Sequence, residues 1–124
     1  MTSIRTLADV VALEALPLSD RHFPVSTYDL LRRSAETWPG RPALTVIDDP
    51  RAFEVSRRLT YQGLLEGVTS MANLLGELGV GPTDVTAYLL PNLLETHIAL
   101  WGAEATGIAF PLSPLFSPAI SWLF

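Results

Sequence analysis

Residues 85–110 read Val85-Thr86-Ala87-Tyr88-Leu89-Leu90-Pro91-Asn92-Leu93-Leu94-Glu95-Thr96-His97-Ile98-Ala99-Leu100-Trp101-Gly102-Ala103-Glu104-Ala105-Thr106-Gly107-Ile108-Ala109-Phe110. The run 85–90 is nearly all apolar, which suits a strand buried on both faces. Asn92 followed three residues later by Glu95 is a capping-box pattern, and it opens a helix that reaches about Ala105. Gly107 ends that helix, and 108–110 supply a second buried strand before Pro111. Strand, helix and strand in so short a stretch form a βαβ unit. Its two strands are therefore parallel, with a right-handed crossover. The expected fold class is α/β, with helices packed on a sheet.

Towards the N-terminus the next element is a long helix over 61–78. Leu64, Val68, Met71, Leu75 and Leu78 recur at helical spacing, and Leu65 and Ala72 widen the stripe. Thr60 is the expected N-cap, and Gly79 is placed for the left-handed conformation that closes many helices. Before it, 43–47 is short and β-rich, and Asp48-Asp49-Pro50 reads as a turn. Phe53, Val55, Arg57 and Leu59 would share one face of a second strand, so a peripheral two-stranded hairpin is expected. A helix over 28–38, capped by Ser26 or Thr27, places Tyr28, Leu31, Ala35 and Trp38 on one face. Pro39-Gly40 stops it. Residues 1–24 read as an extension with one short amphipathic turn.

Composition excludes several function classes. The 124 residues carry a net charge of −5, which argues against nucleic acid, because neutralising its phosphates needs a basic face. With no cysteine, there is neither a disulfide framework nor a thiolate metal site, and two histidines, His22 and His97, are too few for a zinc constellation. The paired arginines Arg32-Arg33 and Arg57-Arg58 read as solvated faces. All eight basic residues are arginine. Arg5, Asp9 and Glu14 break any signal-peptide core near the start, so the expected location is the cytoplasm. The stretch 98–124 is the most apolar part, yet Glu104, Pro111, Pro114 and Pro118 interrupt it, and no transmembrane segment is expected. The closing residues 120–124 read as a cut through a core element.

Chemistry-bearing constellations are missing from the residues themselves. A nucleotide-binding βαβ unit needs a glycine-rich turn whose backbone N–H groups approach phosphate. Here that turn is Leu90-Pro91-Asn92-Leu93, which lacks glycine. Glycines do cluster at 76–81, but at the C-terminus of a helix, where the dipole repels anions. His97 lies mid-helix among Leu94, Ile98 and Trp101, with no carboxylate or nucleophile spaced to orient it. Glu95 is explained by capping. Glu104 is expected to pair with an arginine or to lie at an exposed helix edge. His22 falls in the extension. No catalytic, cofactor-binding or metal-binding residue is assigned.

Three ordered segments carry a family resemblance. Leu59-Thr60-Tyr61-Gln62-Gly63-Leu64-Leu65 resembles the "L-T-Y-x-E-L" opening of adenylating enzymes. The passage from 74 to 92, through Gly79, Gly81, Asp84 and Pro91-Asn92, is similar to their "L-x-x-x-G-V-x-x-G-D-x-V-x-x-x-x-P-N" run. Residues 99–114 resemble the "A-x-x-x-A-G-x-x-x-x-P-x-N-P" stretch. By order and spacing the chain resembles the N-terminal portion of AMP-forming acyl-CoA synthetases, in the adenylate-forming superfamily, from about residue 28 to 118. The run 95–102 is similar to that of bacterial fatty-acyl-CoA synthetases. The resemblance implies an incomplete N-terminal part of the large domain of such an enzyme, residues 25–124, with 1–24 as an extension. For the complete enzyme it implies ATP, Mg²⁺ and coenzyme A, and acid–thiol ligation through an acyl adenylate. The phosphate-binding Ser/Thr/Gly-rich loop, the later acidic motif and the C-terminal lysine of such enzymes match no position here. Two departures stand out. Gly63 takes the place of the acidic residue that would complete a capping box with Thr60, costing about 1 kcal/mol of helix stability, and Ser113 stands where asparagine or aspartate is usual.

Three functional readings follow. The chain is an N-terminal fragment of a fatty-acyl-CoA synthetase, inactive alone, whose partner is the remainder of the enzyme or a full-length homologue. Alternatively it is a stand-alone interaction module that docks on such a synthetase through 98–124, or a free-standing enzyme with an unrecognised site. The first is favoured.

Overall fold

The computed structural model describes residues 4–17, 20, 23–47 and 49–113. His22, Pro114, Pro118, the apolar end 120–124 and the distal part of the 98–124 stripe lie outside the described residues. Among the described residues, four α-helices and four strands follow one another as α1 (Leu7–Glu14), α2 (Thr27–Thr37), β1 (Pro42–Ile47), β2 (Ser56–Thr60), α3 (Tyr61–Glu77), β3 (Val85–Tyr88), α4 (Leu94–Thr106) and β4 (Ile108–Pro111). Strands β1 and β2 pair antiparallel as the expected hairpin, while β3 and β4 pair parallel on either side of α4. The mixed α/β class and the βαβ unit are as the sequence implies.

The core forms where the helical stripes meet. Leu31 of α2 and Leu64 and Val68 of α3 are buried together, with Tyr28, Leu44, Leu59, Ile98 and Trp101 packed around them. The Thr69 hydroxyl donates to the Leu65 carbonyl at 2.7 Å, which leaves its oxygen to accept from the Tyr28 hydroxyl at 2.9 Å and ties α2 to α3. Helix α2 starts at Ser26, whose hydroxyl accepts from the Asp29 N–H, and Leu31 and Ala35 form its buried face. Trp38, expected on that face, is instead the half-exposed C-cap. Its ring stands 6.4 Å from Tyr61, with the Arg41 guanidinium 5.7 Å from its centroid.

Helix α3 ends by a Schellman closure: Val80 N–H donates to Leu75 O and Gly79 N–H to Gly76 O, both at 3.0 Å. Gly79 carries the φ of +88° that this closure demands. The closure also corrects one expectation, because Leu78 sits on the cap rather than the stripe and is 72% exposed.

Further departures have local causes. Phe53 and Val55 are not on a strand face but lie exposed in the hairpin connection. Pro50 opens a 3₁₀ turn there, with the Asp49 carboxylate accepting from the Arg51 N–H, so β2 begins only at Ser56. The extension holds a two-turn helix, α1, longer than the single turn expected. Thr6 and Asp9 form its capping box, and none of its residues is buried. The Asn92–Glu95 capping box does not form. Helix α4 is capped one residue later, at Leu93, where Thr96 accepts from the Leu93 N–H and its hydroxyl donates to the Pro91 carbonyl. Finally, β3 and β4 are not buried on both faces. Val85, Ile108 and Phe110 are exposed, because helices pack on one side of the pair and no described residue covers the other.

Candidate functional site

In parallel α/β units ligands gather at the carboxyl ends of strands, beside the N-terminus of the following helix. In this chain that place is the turn 89–93 between β3 and α4. Leu89 and Leu90 are exposed there, Pro91 has no N–H, and the Leu93 N–H is already taken by the Pro91 carbonyl at 2.9 Å. The Thr96 hydroxyl closes the turn further, a role that the sequence reading missed. A threonine three residues into a helix whose own cap is a leucine was the available signal.

His97, one turn into α4, is half-buried. Its Nδ1 lies 2.8 Å from the Leu93 carbonyl, and since a carbonyl only accepts, Nδ1 carries the proton. The ring leans on Trp101 at 5.8 Å between centroids. Its orienting partner is thus its own helix backbone rather than a carboxylate. Glu95 is exposed, and its carboxylate meets the Arg57 guanidinium of β2 at 3.4 Å, tying the hairpin to the start of α4. The two candidate acid–base groups are therefore near neighbours in sequence but belong to different local contacts.

Glu104 sits at the far end of α4. It is exposed, as expected, but its partner is the Thr27 hydroxyl at 2.9 Å rather than an arginine. Together with Ser26, Tyr28 and Ala105 they line a shallow depression of about 250 Å³. The nearby Asp29 carboxyl is held below its ordinary range first by the Arg32 guanidinium at 2.8 Å, with Arg33 adding a second ion pair. Burial raises the Tyr88 phenol, which faces the helical side of β3.

The N-terminus of α3 is likewise occupied. Tyr61 N–H donates to Arg41 O, Gln62 N–H to Pro39 O and Gly63 N–H to the Thr60 hydroxyl, at 3.0, 3.1 and 3.1 Å. Three of the four free donors of that helix are spent on the chain itself. Among the described residues no group of three His, Asp or Glu side chains is placed to hold a metal ion, and no helix is long and apolar enough to cross a membrane.

What the geometry builds with most care is close approach. A Cβ on Gly102 would stand 2.5 Å from Met71 Cγ, so this glycine lets α4 lie directly on α3. A Cβ on Gly107 would stand 2.5 Å from Gly81 O and 2.7 Å from Asp84 O, where the chain passes from α4 into β4. These are scaffold positions. They fall in the segments that carry the resemblance to adenylating enzymes.

The profile of the AMP-binding enzyme family matches residues 31–119, which takes in the hairpin, α3 and the whole βαβ unit. The chain belongs to the AMP-binding enzyme family. A marinolic acid–CoA ligase from Pseudoalteromonas sp. (strain SANK 73390) is 34% identical over 115 residues, covering 92% of this chain and 17% of the ligase. The fold is shared with the fatty acid AMP ligase from Legionella pneumophila, at a TM-score of 0.68 and 22% identity over 86% of this chain and 18% of that one. It is shared also with a Mycobacterium tuberculosis fatty acyl CoA synthetase, at 0.62 and 25% over 79% and 19%. This member of the AMP-binding family thus corresponds to an N-terminal portion of such ligases and spans less than a fifth of the length of these three.

Proposed function

We propose that this chain is the N-terminal segment of an ATP-dependent, AMP-forming fatty-acyl-CoA ligase of the cytoplasm, with residues 1–24 as an extension and 25–124 within the large domain, and that it is inactive without the remainder. The observation that carries the reading is the alignment of 92% of the chain with a ligase whose name couples a carboxylic acid to CoA. Two structural relatives named for fatty acids favour that substrate class.

The reaction has two balanced steps. A carboxylate oxygen attacks the α-phosphorus of ATP and pyrophosphate leaves. The thiol of coenzyme A then displaces AMP from the acyl carbon and gives up its proton. Both steps need cationic stabilisation of phosphoryl charge, for which Mg²⁺ and a lysine are the family's means. This chain contains no lysine, and the 89–93 turn offers no glycine-rich cradle. Its part in the proposed enzyme is therefore structural, to supply α3 and the βαβ unit to the large domain.

The encoding DNA beyond codon 124 provides the direct test. A Ser/Thr/Gly-rich loop ending in lysine is expected to follow, in frame or shifted, and its absence from every forward frame would sink the reading. The isolated chain is expected to show no ATP–pyrophosphate exchange with fatty acids. Exchange that survives stringent purification would overturn its inactivity.

A further inference from the structure

Among the described residues no cation reaches Glu104. Its contact is the Thr27 hydroxyl, which donates to Oε1 at 2.9 Å, while Oε2 keeps its acceptor capacity. The arginines of α2 are committed elsewhere, Arg32 to Asp29 and Glu36, and Arg33 to Asp29. Glu104 also lies in the last turn of α4, where the helix dipole adds negative potential and no basic residue offsets it. The positive end of α2 nearby already has Asp29 in its first turn. The depression that Glu104 lines with Ser26, Thr27, Tyr28 and Ala105 is therefore negative. Its side chains are also richer in acceptors than in donors. Thr27 spends its proton on Glu104, and the Tyr28 hydroxyl donates to Thr69, whose own proton goes to the Leu65 carbonyl. Ser26, whose oxygen accepts the Asp29 N–H, is the one lining hydroxyl with a proton left to give.

Such a lining selects a cation that carries several N–H donors. One carboxylate is too few for a metal ion, and among the described residues no metal-binding group forms. An ammonium is compact and strongly hydrated, and an open depression does not strip its water. A guanidinium is flat and weakly hydrated, and its fork of donors can meet a carboxylate and a hydroxyl together or lie on a tyrosine ring. The lining holds no cationic side chain, so the α-carboxylate of free arginine would find no partner there. We propose that the depression between α2 and α4 binds the guanidinium of an arginine presented by a partner polypeptide, with Glu104 as its counter-ion. Thr27 holds the carboxylate in place. A basic partner segment also suits a chain of net charge −5. The inference stands on this surface alone and is independent of the ligase reading.

Titration of the isotope-labelled 124-residue chain with the peptide acetyl-Gly-Arg-Gly-amide tests it, with backbone amide shifts as the readout. Saturable shifts centred on 26–28 and 104–105 are expected, with a Kd on the order of 1 mM, as suits one open ion pair. Glu104→Gln is expected to weaken binding about fivefold. Glu77→Gln removes the same charge from the exposed end of α3 and is expected to stay within about twofold of the parent. Both variants should keep the parent spectrum away from the substituted residue. The citrulline peptide, which keeps the shape without the charge, should not saturate, and the lysine peptide should bind more weakly than the arginine one. Equal losses in the two variants would reduce the effect to general attraction by an acidic chain and would overturn the proposal. Absence of saturation, equal affinity for the lysine or citrulline peptide, or tighter binding of free arginine would overturn it as well.

Discussion

The helical core and the β3–β4 sheet are encoded by similarly apolar sequence and end in opposite environments. Around α3, Leu64 and Val68 are 1% and 0% exposed, because α2, the hairpin and α4 all bring side chains to the same point. In the sheet, Val85, Ile108 and Phe110 keep about half their surface in water, because among the described residues only the helical side brings a partner. Burial is a property of pairs of surfaces. A strand with the right residues reaches its expected environment only when the facing layer is present.

The comparison is broken most severely from the core side. Leu64→Ala removes a side chain from the junction of α2, α3 and the hairpin, and is expected to cost about 3 kcal/mol, read as a shift in the denaturant midpoint. A cost under about 1 kcal/mol would mean that this junction is no more closed than the sheet. Gly107→Ala comes next. Its methyl would press on the carbonyls of Gly81 and Asp84, and the Asp84 carbonyl also accepts the Ile108 N–H at 2.9 Å to start the parallel pairing. The expected loss is about 2 kcal/mol, with faster amide exchange in 85–88 and 108–111 than in α3. Uniform exchange across both regions would show that the sheet and the core open together.

The same contrast explains how much was legible in the sequence. The stripe of α3 and its ends could be read, because Leu64 and Val68 follow the helical period and Gly79 supplies a backbone conformation few residues adopt. The parallel pairing was legible from the brevity of the strand–helix–strand run. Leu78 was misplaced because periodicity continues past the point where the Schellman closure turns the chain away. Phe53 and Val55 were misplaced because alternation cannot register the 3₁₀ turn that Pro50 opens between the strands. The Asn92–Glu95 cap failed because Thr96 offers the turn a hydroxyl that binds both Leu93 and Pro91. At the candidate site, the sequence placed His97 on its helix and left Glu104 between an arginine partner and an exposed edge, of which the structure shows the second. The partners of Glu95 and Glu104, Arg57 and Thr27, lie 38 and 77 residues away in the chain, and no local pattern encodes such pairs.

A smaller effect, of opposite sign, probes the covered side of the sheet. The Thr86 hydroxyl is buried against the helical layer and finds no hydrogen-bond partner among the described residues. An unmade bond of this kind costs the desolvation of the hydroxyl without a return. Thr86→Val, which keeps the branched shape, is expected to raise stability by about 1 kcal/mol, seen as a higher midpoint with an unchanged slope. A loss of similar size would reveal a partner for Thr86, and the covered side would then be a polar contact rather than an apolar one.

The smallest expected effect is the most informative about the open face. Phe110→Ser in the 124-residue chain removes an aromatic ring already 47% exposed and pointing away from the helices. Surface substitutions of this kind fall within about 0.5 kcal/mol of the parent, so chemical denaturation should scarcely distinguish the two proteins. Solubility should rise at the same time, because the variant interrupts the apolar surface shared by Val85, Ile108 and Phe110. A cost near that of Leu64→Ala would mean that the ring is buried in solution, by self-association or by rearrangement of the sheet, and the unequal treatment of the two regions would vanish. Near-neutral stability with improved solubility would fix the difference where the structure puts it. The helical core is closed by side chains of α2, α3, α4 and the hairpin, and among the described residues the sheet is covered on its helical side alone.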